Sequence, residues 1–242
     1  FQAGESANYT IYYNWTAVWM SAGKATFNVQ SETLNNKPVY HIVSEGKTQR
    51  TFDWFYKVRD RYETYLDPAT MKPLKFVRDV NEGGFTINHL YGFDHAKKEA
   101  LIYYHKKKGK LQIQNKTVPI SNCTQDLLSA VYAARCIDYS KMKVGDVFNV
   151  ELFLDGAIYP VYARYLGKEV IKTDFGKFRC VKFAPSLLEG DVFKGGEHMT
   201  VWVTDDANRL TLYIESPLTV GYVKVYLSDY SGLRNPMSAK VN

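Results

Sequence analysis

From Phe148 onward, apolar and polar positions alternate: Phe148, Val150, Leu152 and Leu154 stand against Asn149, Glu151 and Asp155. The pattern returns at Leu210, Leu212 and Ile214 after Asp205-Asp206-Ala207-Asn208, and at Val223, Val225 and Leu227 after Gly221. A side-chain period of two lines one face of a pleated sheet, so these segments read as half-buried antiparallel strands. A one-residue slip would expose every apolar side chain of such a strand, so the pattern also specifies register.

The N-terminal half reads the same way. Tyr9, Ile11, Tyr13 and Trp15 share one face, with Asn8, Thr10 and Asn14 opposite. A turn at Ala22-Gly23 leads to a strand over 25–29, and Asn35-Asn36-Lys37-Pro38 makes the next turn. Strands follow over 39–44, 52–59, 62–66, 74–80, 85–91, 100–104 and 111–114, punctuated by Asp67-Pro68-Ala69-Thr70 and Asn81-Glu82-Gly83-Gly84. One amphipathic helix interrupts them over 124–137. Thr124 is its expected N-cap, and Leu127, Leu128, Val131 and Cys136 share a face. Lys143-Val144-Gly145-Asp146 then reopens the sheet. Many short strands with one short helix predict an all-β chain, a single curved antiparallel barrel or sandwich spanning 1–242 as one domain.

The 242 residues are 45% hydrophobic, enough to bury a full core, and 19 tyrosines against 4 tryptophans suit sheet faces and groove walls. The net charge of +6 is mild, and much of it lies at Lys97-Lys98 and Lys106-Lys107-Lys108-Gly109-Lys110, which reads as a solubilising hairpin tip. No stretch approaches the ~20 apolar residues of a membrane-spanning helix, and nothing points to nucleic acid. A start at Phe1-Gln2-Ala3-Gly4-Glu5 reads as a mature chain whose leader was cleaved or omitted. A helix over 124–137 would hold Cys123 and Cys136 about 20 Å apart, too far for a disulfide. Free, mostly buried thiols are expected, with a bridge from Cys180 to either left open.

Candidate chemistry is sparse. His41, His89, His95, His105 and His198 lack metal-ligand spacings. No phosphate loop or nucleophile elbow occurs, and no nucleophile, base and orienter assemble. No metal, cofactor or catalytic residue is therefore assigned. Asp126 is expected to cap the helix and Arg135 to lie on its surface. Tyr12, Trp15, Trp19, Trp54, Tyr56 and Trp202 are the candidate walls of an aromatic groove on a concave sheet face, the alternative being that they fill the core.

Several blocks carry a resemblance: Gly4-Glu5 with the Tyr9–Trp15 strand, 126–135, Gly176-Lys177-Phe178-Arg179-Cys180, and 201–210 through Gly221. Together they resemble the exported bacterial family known as domain of unknown function 3108, typical of Bacteroides-like envelopes. Thr211 departs from the Pro expected after Leu210. The resemblance implies an exported, periplasmic or envelope protein with a YmcC-like barrel fold, and it carries over no site residue. The expected function is non-catalytic binding of an apolar or glycan ligand by a monomer. The alternatives are a structural or assembly partner of other envelope proteins, or a hydrolase with an unusual site. The partners considered are an envelope lipid, a glycan or a protein.

Overall fold

Asn35 and Asn36 both adopt left-handed φ, 51° and 62°. Asn tolerates that region better than other non-glycine residues, and two such residues make the tight turn whose twist matches flanking antiparallel strands. Gly83-Gly84 and Asp155-Gly156 repeat the geometry. These turns organise a computed structural model that describes residues 1–14, 18–107, 110–188 and 195–241.

The strands are β1 (Ser6–Asn14), β2 (Trp19–Leu34), β3 (Lys37–Thr48), β4 (Val58–Leu66), β5 (Pro73–Glu82), β6 (Phe85–Asp94), β7 (Glu99–Lys107) and β8 (Lys110–Pro119). After them come β9 (Thr124–Gln125), α1 (Leu127–Ala134) and a 3-10 turn over Tyr139–Lys141. The chain continues through β10 (Val147–Leu154), β11 (Ala157–Thr173), β12 (Gly176–Pro185), β13 (Thr200–Thr204), β14 (Thr211–Pro217), β15 (Tyr222–Ser231) and β16 (Lys240–Val241). One sheet takes them in the order β8 to β1, then β15 down to β9, with β16 against β12. Two antiparallel meanders thus meet where β1 pairs with β15, and β8 and β9 are left as edges. The predicted all-β, curved, barrel-like architecture with one short helix is what forms, and the sheet does not close.

Alternation decides the faces. Val29, Ile42 and Leu66 cluster with Leu128 and Tyr132 of α1, so that side of the sheet holds the helix. On the same side Phe76, Tyr91, Phe93 and Ile102 pack on Phe153 and Ile158 from the opposite half of the sheet. Distant strands can meet only across the hollow of a curved sheet, so this face is concave. Phe148, five positions from Phe153, must face the other way, and it packs instead with Tyr139, Phe183 and Val201. The β10–β11 hairpin is therefore tucked into the curl like the inner edge of a scroll.

The structure corrects several local expectations. The helix is shorter than 124–137, because Thr124-Gln125 pairs in parallel with β10. Its N-cap is Asp126, whose carboxylate accepts from the N–H groups of Leu128 and Ser129 while the Ser129 hydroxyl accepts from the Asp126 N–H. Its buried face is Leu128, Ser129 and Tyr132, and Val131 is exposed. The segment 52–59 is no strand up to Val58: Gln49 to Tyr56 coil into successive tight turns. Asp53 accepts from Arg59 and from the Thr48 hydroxyl there, folding the segment back on itself. Ala22-Gly23 is no turn but the middle of β2, where a Cβ on Gly23 would lie 2.6 Å from the Lys47 carbonyl oxygen. Finally, all three cysteines are free, but only Cys180 is buried.

Arg135 is not on the surface. Its side chain is 8% exposed and forks onto Glu5, itself 1% exposed, at 2.5 and 3.1 Å. It also donates to the Asn208 carbonyl, and Arg209 donates back to the Arg135 carbonyl. Removing one member of a buried pair leaves an uncompensated charge, at about 3–5 kcal/mol. Glu5→Gln or Arg135→Met should each destabilise by that order in urea titration, whereas Glu5→Leu/Arg135→Met together should cost clearly less than the sum.

Candidate functional site

The five predicted aromatics among the described residues do not make one groove. Tyr12 and Trp202 fall in one row with Tyr213 and Tyr226, which sequence reasoning missed, and Trp202 is buried in the core cluster of Tyr9, Cys180 and Leu212. Ring centroids run 4.7 Å from Trp202 to Tyr213, 4.6 Å to Tyr226 and 5.8 Å to Tyr12. Tyr213 and Tyr226 stack with faces together, and Lys182 covers the Trp202 ring. Their faces are already occupied, so the row serves as a cross-strand ladder pinning the β1–β15 seam. Trp19, Trp54 and Tyr56 stand at the end of the sheet reached by the β3–β4 and β5–β6 connections, with Lys224 over the Trp19 ring. Trp15 lies outside the described residues. Among the described residues the concave face is occupied by α1 and the core.

The concavity that does form is on the convex side at the other end, where the β2–β3, β4–β5 and β6–β7 turns gather. Gly92 is its floor. Gly92 pairs with Lys75 and Leu101, and it faces outward because its neighbours Tyr91 and Phe93 are in the core. A Cβ at Gly92 would come within 2.9 Å of the Tyr103 ring, so only glycine lets that ring lie down on the strand. Tyr103 remains 44% exposed. Around it lie a cavity of about 600 Å³ and an adjoining one of about 230 Å³, which share Asn35, Leu74, Gly92 and Tyr103. The walls add Lys37, Lys72, Asp67, Asp94 and His95.

His95 is the informative wall residue. Its Nε2 lies 2.7 Å from the Pro73 carbonyl, and a carbonyl only accepts, so Nε2 carries the proton. Burial holds the imidazole pKa below its ordinary value, with the Pro73 bond opposing, which keeps the ring neutral. Nδ1 is then an acceptor, and it is buried without a hydrogen-bond partner among the described residues. A buried polar atom left unmade invites a donor from outside. The sequence offered one signal for this site, the glycine at 92 in an otherwise apolar strand.

A second polar group lines the concave face. Arg78 donates to Asp155 at 3.0 Å, and the buried His89 lies 2.6 Å from the Tyr91 hydroxyl and 3.5 Å from Asp155. Nearby, burial first and then the Glu82 charge push the Asp60 carboxyl up to about 7. Among the described residues no three His, Cys, Asp or Glu side chains converge to hold a metal ion, and no helix is long and apolar enough to cross a membrane.

A family described as "protein of unknown function (DUF3108)" matches residues 8–228, and the chain belongs to it. No curated protein matches the chain. Among solved structures, a beta-barrel-like protein of domain of unknown function DUF1849 from Brucella abortus aligns over 96% of this chain and 98% of its own, with TM-score 0.62 and 10% identity. That likeness extends to the fold. A protein described as exported, with a YmcC-like fold, from Bacteroides fragilis aligns over 96% and 97% with TM-score 0.38 and 12% identity. A protein described as a lipoprotein from Parabacteroides distasonis aligns over 95% and 96% with TM-score 0.32 and 13% identity.

Asp60 gives the fold a pH signature. Its folded pKa lies above the unfolded value of 3.8, so its contribution is fully present below that value and is lost as pH rises through about 7. Asp126, raised to about 6 by burial, acts in the same direction. The melting temperature should therefore fall between pH 5 and pH 8, and Asp60→Asn should flatten that slope. An unchanged slope in this variant would show that Asp60 does not hold the extra proton.

Proposed function

We propose that this member of the family is a non-catalytic protein of the bacterial cell envelope that binds a glycan segment in the groove over Gly92. The observation that carries the reading is that the half-exposed Tyr103 ring and His95, whose buried Nδ1 has no partner among the described residues, line the same cavity. A pyranose ring has apolar C–H faces and hydroxyls around its edge. An aromatic face meets the first need, and an acceptor meets the second. Lys37, Lys72, Asn35 and Asp94 offer further donors and acceptors. A cavity of about 600 Å³ falls in the size range of small-molecule sites, about 300–1,000 Å³. A lipid tail would be served poorly by walls so rich in charge.

The Asp60–Glu82 pair favours a second reading, a hydrolase, because a carboxyl with a pKa near neutrality is poised for proton transfer. It ranks below the first because the pair stands apart from the groove, on the opposite face of the sheet.

Calorimetric titration with muropeptides, lipopolysaccharide core oligosaccharide and capsular fragments tests the leading reading. Tyr103→Ala and His95→Ala should each weaken the bound glycan by about tenfold or more, with circular dichroism unchanged. Binding should also weaken as pH falls below the ordinary histidine range, because protonation turns Nδ1 from acceptor to donor. Binding by none of these glycans, or full affinity in both variants, would sink the proposal. Release of reducing ends that Asp60→Asn abolishes would favour the hydrolase.

A further inference from the structure

Thirteen large apolar side chains are exposed among the described residues, and eight stand at the end of the sheet away from the groove, Trp19, Met20, Trp54, Phe55, Val220 and Tyr222 among them. Trp54 is 85% exposed, the highest of all. Exposed large apolar side chains gathered at one end of a folded chain mark an interaction site. The exposure is held in place: the loop between β3 and β4 is fixed by Asp53–Arg59 at 2.6 Å, by the Gln49 N–H on the Ala22 carbonyl at 2.8 Å, and by Gln49 Nε2 on the Ser21 hydroxyl at 2.6 Å. Phe52 joins it to β1 through the Tyr13 ring at 6.0 Å, and the Tyr13 hydroxyl donates to the Val220 carbonyl at 3.1 Å.

Charge surrounds this apolar end. Lys24, Lys47, Arg50 and Lys57 are exposed, and none is in an ion pair among the described residues. Of the acids there, Asp53 is neutralised by Arg59, and Asp60 and Glu82 are partly buried on strands beneath the loop. The meander also brings the ends of β7 and β8 to this end of the sheet. The exposed cations and the exposed aromatics thus share one end of the sheet, and the Lys108-Gly109 turn lies outside the described residues.

We propose that this end docks on an anionic phospholipid bilayer, with Trp54, Phe55 and Trp19 in the headgroup region and the cations against lipid phosphates. Tryptophan and tyrosine favour that interface because one end of each ring system is apolar and the other polar. Basic residues beside them add attraction to anionic headgroups that salt screens. The charge complementarity selects the bilayer over a protein partner.

Co-sedimentation of the full chain with phosphatidylcholine vesicles, with and without phosphatidylglycerol, tests this. Association is expected with the anionic vesicles, weakened by salt and accompanied by a blue shift of tryptophan fluorescence. Trp54→Ser/Phe55→Ser should reduce it by at least about tenfold, while Arg50→Gln/Lys57→Gln should remove mainly the part that depends on phosphatidylglycerol. Glycan binding in the groove should survive both pairs of substitutions. No association of the unmodified chain with either vesicle overturns the proposal, as does association that the Trp54/Phe55 variant retains. If vesicles are ignored while the same variant loses capture of another envelope protein, this end is a protein-docking surface and the bilayer reading falls.

Discussion

A single buried contact ties the two halves of this sheet to the segment that fills it. Arg135 leaves the C-terminal end of the helix, forks onto Glu5 at the entry to β1, and donates to the carbonyl of Asn208 in the β13–β14 turn. Asn208 in turn holds the carbonyls of Asn235 and Pro236, and Asp206 accepts from the Ala239 N–H. The sheet is unclosed, so no ladder of hydrogen bonds fixes its curvature. Curvature comes from what is packed inside, and the Glu5–Arg135 pair decides where that filling sits. A burial this complete is tolerable only because each of Nε, Nη1 and Nη2 meets an acceptor.

The alternation of side chains made the strands and the curved all-β fold legible, because period two survives even where boundaries are blurred. What it could not convey was which partner a polar group would find. Arg135 in a short amphipathic segment looks like a solvated helix end, and its burial depends on Glu5, 130 positions earlier. The same limit hid the 49–56 turns. Phe52, Trp54, Phe55 and Tyr56 read as strand by composition, but Asp53 bound by Arg59 and Thr48 closes the segment on itself. The candidate site was less legible still. Large aromatics drew attention to Trp202 and Tyr12, which stack on each other's neighbours, whereas the concavity depends on a residue with no side chain. Gly92 is visible in the sequence, but the ring it makes room for, Tyr103, is a strand away.

The distribution of aromatics follows from two competing demands. Trp202, Tyr213 and Tyr226 cover one another, which stabilises strand pairing and leaves little ring surface to a ligand. Tyr103 remains half exposed, and Trp54 is turned outward by an anchored loop. A stabilising role explains the first group. It does not explain the second, because an exposed ring fixed in place gains nothing from folding.

Topology then separates these two surfaces. Successive turns of an antiparallel meander alternate between the two ends of its strands, so the connections 35–36, 67–72 and 95–98 gather at one end and 49–57 and 83–84 at the other. Strands of nine to twelve residues in β3 to β6 set the ends about 30 Å apart at ~3.3 Å per residue. An insertion or deletion within one turn would alter one surface and leave the other intact, whereas loss of one strand would reverse the end to which every later turn belongs. The groove over Gly92 and the aromatic, cationic end are thus held opposite each other by the parity of the strands. A chain docked at a bilayer by its aromatic end would present the groove on the side away from the lipid, where glycan is reached without competing for the same surface.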